Sequence, residues 1–162
     1  MLNGATGNIC ANEFKGIHSA PGNCADLAEH FDHSDPAVVR PGMVMVIDAA
    51  NAGHLTVSMR AYDTKVAGIV SGAGGLQAGM VLGGSDSEGD DLPVALTGRV
   101  YCYVDATEEP IEVGDLLTTS NTPGHAMKVT DFARSQGCVL GKAMQPIEKG
   151  KKGLILVLVA LQ

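Results

Sequence analysis

The chain has 162 residues and a formal net charge of −7, with 45% hydrophobic and 18% charged residues. This composition is typical of a globular protein and excludes a disordered chain, which would contain fewer apolar and more charged residues. The acidic balance, without a cluster of Lys and Arg, argues against nucleic acids and anionic membranes as partners.

No segment has the composition of a targeting or membrane-spanning element. The longest apolar run, 154–161, is shorter than the roughly 20 residues of a membrane helix, and residues 1–7 lack the basic and apolar parts of a signal peptide. The four cysteines are scattered and form no C-x-x-C pair. This spacing favours reduced thiols and synthesis in the cytoplasm over a disulfide framework.

Residues 1–23 are predicted to form an N-terminal arm, because they contain Asn-Gly, Thr-Gly and Pro-Gly turns and few clustered apolar side chains. A single β domain is expected over 24–162. Its predicted first element is a short helix, which Asn23 can cap. Leu27 and Phe31 would share one face of this helix, and Pro36 would end it.

After Pro36, short apolar runs bounded by Gly and Pro predict strands. Residues 94–104 alternate strictly between two faces, which indicates a half-buried strand. Arg99, Tyr101 and Tyr103 fall on its outward face. Arg and Tyr are enriched at protein interfaces, so these three residues are candidates for contact with a partner, with plain surface as the alternative.

The last run, 154–161, is apolar on both of its faces. Each face must therefore be covered, either by a second sheet or by another subunit. Leu154, Leu156 and Leu158 are accordingly predicted to be interface residues of a homo-oligomer.

The sequence also contains a weak internal repeat, with units at about 38–104 and about 111–162. Neither unit alone could bury its apolar face, so we expect the two to pack about a pseudo-twofold axis as an all-β sandwich or small barrel. The matching segments, first unit against second, are 41–48 and 113–120, 53–57 and 124–128, 66–68 and 139–141, and 94–104 and 154–161.

The sequence contains few candidate metal-binding or catalytic groups. His30, Asp32 and His33 are possible metal ligands, but H-x-x-H alone is a weak signal and a polar surface explains it better. The acidic stretch 85–91 lacks the ligand spacing of an EF-hand loop and is predicted to be a solvated hairpin tip. Residues 71–75 contain neither a G-x-S-x-G elbow nor a phosphate loop. No catalytic residue, metal site or cofactor is predicted.

Residues 25–32 (ADLAEHFD) resemble the "DYAEYFE"-like opening of autoproteolytic intramolecular-chaperone domains, which end phage tail-appendage and spike proteins. Residues 42–48 and 65–72 continue the resemblance, which covers roughly residues 24–75. The resemblance implies a β-rich homo-oligomer, with a trimer favoured, that ends or assembles a fibre. It also implies other tail or fibre proteins as partners and a location in the virion or an extracellular appendage.

Members of that family cut at a Ser-Asp bond upstream of the motif. No Ser-Asp pair precedes Ala25 in this chain, so no catalytic residue is transferred. The leading hypothesis is a non-enzymatic assembly module. The alternatives are an autoproteolytic chaperone domain and a metal- or glycan-binding tip.

Overall fold

The computed structural model describes residues 24–83 and 92–161, which form ten strands and one 3-10 turn at Ala73–Gly75. The arm predicted at 1–23 and the hairpin tip predicted at 85–91 lie outside these residues. The described part contains no helix of the length and hydrophobicity that a membrane crossing requires. The strands are β1 (Cys24–Glu29), β2 (Val44–Ile47), β3 (Leu55–Val57), β4 (Val66–Val70), β5 (Gln77–Leu82), β6 (Val94–Asp105), β7 (Leu116–Thr119), β8 (Ala126–Lys128), β9 (Val139–Ala143) and β10 (Lys152–Ala160).

Five of the strands close into a barrel. Strand β6 pairs with β10, β10 with β9, β9 with β7 and β7 with β8. Strand β8 returns to β6 through the pair of Val104 and Ala126. The predicted all-β class and the small barrel are therefore confirmed. Valines, leucines and alanines fill the interior, where the buried thiol of Cys102 packs as a small apolar group with a raised pKa.

A second ring of strands shares β6. On this side β6 pairs with β4, β4 with β2 and β2 with β3. The segment from β1 to His33 completes this ring. Strand β1 pairs antiparallel with β6, and His33, just after β1, forms a β-bridge with Leu55 of β3. A smaller apolar cluster that includes Met45, Val70 and Val94 fills this ring. Strand β6 thus belongs to both rings.

The two rings contain units with the same pairing order. In the first unit Met45 lies opposite Gly68 and the register shifts directly afterwards. In the second unit Leu117 lies opposite Gly141 and the register shifts at the same place. The predicted repeat boundaries stay a prediction.

The helix predicted at about 23–33 is wrong. Residues 24–29 form strand β1, which lies between β5 and β6. Burial alternates along it: Asp26 and Ala28 face inward, whereas Leu27 and Glu29 are half-buried on the other face. The backbone hydrogen bonds that two neighbouring strands offer outweigh a modest local helix preference.

Candidate interaction surface

Strands β6 and β10 form a long antiparallel ribbon with nine consecutive residue pairs, from Lys152 and Asp105 to Ala160 and Thr97. Side chains alternate between its two faces, as they must in a strand. One face of the ribbon lies in the barrel interior. Its buried residues are Val100, Cys102, Val104, Ile155, Val157 and Val159.

The opposite face of the ribbon gathers all six interface candidates. Residues directly opposite in a strand pair share a face. The face is therefore mainly apolar, with Leu158 at 41% exposure and Arg99 also exposed, while the other four are half-buried. Their contact with a partner stays a prediction. The three pairs are Arg99 with Leu158, Tyr101 with Leu156, and Tyr103 with Leu154.

Contacts within the chain account for the half-buried tyrosines. The ring of Tyr103 lies against the ring of His125, with centroids 5.4 Å apart. The ring of Tyr101 covers Gly74, where an added Cβ would come within 2.5 Å of it. On this face of the ribbon, the apolar surface that no part of the described chain covers is therefore centred on Leu158.

The same face continues across β1 to β5. Thr97 has Ala160 on one side and Leu27 on the other, and Leu27 lies opposite Met80, which is 38% exposed. With about 4.8 Å between neighbouring strands, this row of four side chains is about 14 Å wide. Sequence reasoning missed Leu27 and Met80 because it assigned the first to a helix and did not predict β5.

The structure does not assemble the possible metal ligands into a site. His33 is buried beside β3, whereas Asp32 is exposed and its carboxylate lies 3.9 Å from the imidazole of His54. His30 donates its backbone N–H to Leu82. The described residues contain no group of three or more His, Cys, Asp or Glu that could hold a metal ion.

Comparison with known proteins gives no match to a family or to a curated protein. Two solved structures are similar in fold. The pre-mature gene product 12 of bacteriophage phi29 has a TM-score of 0.56 and 17% identity over 83% of this chain and 21% of its own. The C-terminal fragment of that gene product has a TM-score of 0.54 and 18% identity, covering 83% of this chain and 100% of the fragment.

This chain shares the fold of that fragment. It spans only about a fifth of the pre-mature gene product, so the likeness concerns one part of a longer protein. At these identities the similarity shows the fold and leaves the activity to be argued from the residues.

Strand β1 carries a buried carboxyl group that sequence reasoning did not single out. Asp26 is 6% exposed, and neither of its oxygens has a hydrogen-bond partner of good geometry. Burial raises its pKa, and the nearby Ser71 hydroxyl and Gly79 amide offset only part of that effect. A carboxyl group in such a place favours its protonated form.

This burial predicts a pH dependence of stability. A carboxyl group with a raised pKa binds its proton more tightly in the folded state, so the free energy of unfolding falls as pH rises from the ordinary aspartate pKa through the raised one. Asp26→Asn removes this contribution. We expect the free energy of unfolding of the wild type, measured with urea between pH 3.5 and 8, to decline with pH relative to that of the variant.

Glu112→Gln, at another exposed carboxylate, is the matched control and keeps the decline relative to Asp26→Asn. Carboxylates whose pKa is lowered in the fold lose their stabilising contribution as the pH falls. Asp48, with a pKa of about 2, and Asp63, also with a lowered pKa, are examples. They are present in every variant, so the difference between curves isolates Asp26. Parallel curves for wild type and Asp26→Asn would contradict the prediction.

Proposed function

We propose that this protein is a non-enzymatic structural and assembly module of a phage tail fibre or similar appendage, and that it works as a homo-oligomer. The outward face of the β6–β10 ribbon carries the proposal, because an isolated copy leaves its apolar centre at Leu158 in water. The fold shared with a C-terminal fragment of a phage gene product supports it. So does the sequence resemblance to domains that end phage tail appendages.

The energetics favour covering this face. Leu158 is 41% exposed, so covering the rest of its side chain contributes roughly 0.6–1.2 kcal/mol, and the neighbouring Leu154, Leu156 and Ala160 add further apolar area. Extended apolar patches on soluble proteins commonly mark contact sites. The resemblance to the tail-appendage domains favours three copies.

The oligomer is tested by solution mass. We expect light scattering at micromolar concentration to give a multiple of the 16.7 kDa chain mass. Leu158→Asp places a charge at the centre of the face and is expected to raise the dissociation concentration at least about tenfold, which corresponds to 1.4 kcal/mol. Val113→Asp changes an exposed valine away from the ribbon and serves as the control. A monomeric wild type would overturn the proposal.

A second candidate is an autoproteolytic chaperone domain in a longer appendage protein. The observation in its favour is that this chain covers the whole of a C-terminal fragment whose parent is also known in a pre-mature form. If the chain follows a longer segment in its native protein, incubating that precursor and separating it on a denaturing gel decides the matter. A precursor that stays intact removes cleavage from the function and leaves the assembly role.

We also infer that the two β units descend from one duplicated ancestor. The common pairing order of the two units supports a duplication. In each unit the second residue of the first strand, Met45 of β2 or Leu117 of β7, lies opposite a glycine, and the register shifts directly afterwards. The proposed partners are other tail or fibre proteins, within the virion or an extracellular appendage.

A further inference from the structure

Two cations, Arg99 on the ribbon face and Lys142 beside it on β9, have no ion-pair or hydrogen-bond partner among the described residues. Among the described residues, every Lys and Arg except Arg99 and Lys142 has a partner. Six of these side chains form ion pairs with carboxylates. Arg40 donates to backbone carbonyls, and the Arg134 guanidinium lies 4.5 Å from the centroid of the Tyr62 ring.

Both unpaired cations flank the same exposed leucine. Arg99 on β6 and Lys142 on β9 are the two cross-strand neighbours of Leu158, so the three side chains share one face. Arg99 and Lys142 are exposed and about 10 Å apart, which is two strand spacings. The adjoining Thr97 and Ala160 are uncharged. The centre of the proposed contact is therefore apolar and positively charged.

This charge pattern limits how two copies can meet. If the face met the same face of a second copy, cations would be placed opposite cations, and juxtaposed like charges oppose association. A contact between two different surfaces of the same chain avoids this repulsion. Such a contact produces a ring or an open filament and not a twofold dimer. The chain has a net charge of −7, so a second copy offers an excess of carboxylates over cations.

We propose that Arg99 and Lys142 bind carboxylates of a neighbouring copy and so select a different surface of that copy as the partner of this face. This inference rests on the proposed homo-oligomer. Suitable carboxylates exist, since Asp35 and Glu108 are exposed and form no ion pair among the described residues. Ion pairs on either side of Leu158 would give the contact specificity and make it sensitive to salt.

The experiment neutralises the two cations. We expect the double variant Arg99→Gln/Lys142→Gln to raise the dissociation concentration of the oligomer at least about tenfold in light-scattering dilution series. Raising NaCl from 50 to 500 mM should weaken the wild-type oligomer and affect the double variant much less. Lys149→Gln/Lys151→Gln removes the same charge from side chains that pair with glutamates of their own chain, and is the control.

The outcomes separate this inference from the function on which it rests. A monomeric wild type refutes the homo-oligomer and this inference together. If the wild type is an oligomer and the double variant dissociates at the same or a lower concentration, only the inference is refuted. A lower dissociation concentration is what pairing of the face with itself predicts. Equal urea midpoints for wild type and variant show that folding is intact, so that weaker association reports on the contact.

Discussion

Gly141→Ala is expected to destabilise the fold by about 4 kcal/mol or to prevent folding, in the range seen when a substitution forces atoms into a packed core. An added Cβ would lie 2.1 Å from the carbonyl oxygen of Leu158 and 3.0 Å from the Cα of Val159. Both are backbone atoms of β10, which can move away only by breaking its pairing with β9. The barrel therefore requires glycine at this position.

The matched control is Gly114→Ala. Gly114 has a φ of +93° but no atom within 4 Å of an added Cβ, so alanine there pays only the left-handed backbone cost of about 1–2 kcal/mol. Urea midpoints of the two variants measure the difference. Gly68→Ala should behave like Gly141→Ala, because its Cβ would lie 2.4 Å from the Ala95 carbonyl oxygen. Similar losses at Gly141 and Gly114 would contradict the steric argument.

Ala28→Glu is expected to cost at least about 3 kcal/mol, because it buries a carboxylate without a partner. Ala28 is fully buried against Ala95 of β6, which is also fully buried. Arg99, the cation of β6, lies on the other face of the sheet and cannot pair with the new carboxylate. The urea midpoint should fall, and the backbone amides of β1 and β5 should exchange with deuterium faster than in the wild type.

Leu27→Glu introduces the same side chain at the neighbouring position and is the control. In the strand Leu27 faces outward and is half-buried, so we expect a loss below about 1 kcal/mol. The helix expected from the sequence would reverse this order, since it placed Leu27 on the buried face. A larger loss for Leu27→Glu than for Ala28→Glu would therefore argue against strand β1.

Much of the β structure was accessible from sequence because side-chain period and turn residues are local signals. Alternation over 94–104 correctly separated the buried Val100 and Cys102 from the outward Arg99 and Tyr101. The two-faced run at 154–161 correctly indicated a central strand, although one of its faces is only partly covered within the described chain.

Other features depend on contacts between distant segments and could not be read locally. Strand β1 contains a polar residue, Asp26, at an inward position, which hid its alternation. Strand β5 contains a glycine and only one β-branched residue, so its own sequence favours a strand weakly. Its parallel pairing with β1 stabilises it. Whether a lysine or arginine forms an ion pair likewise depends on contacts between distant segments. Nothing in the sequence distinguishes Arg99 and Lys142 from cations such as Lys128, which lies 2.8 Å from Asp115.

The position of β6 between β1 and β10 has a mechanical consequence. Both strands run antiparallel to β6, so they run in the same direction on its two sides. Tension applied between the start of β1 and the end of β10 pulls the two strands in opposite directions along β6. Such loading shears the hydrogen-bonded pairs of both ladders together and does not unzip them one at a time. A protein that transmits load through these two strands would hold until many hydrogen bonds rupture at once.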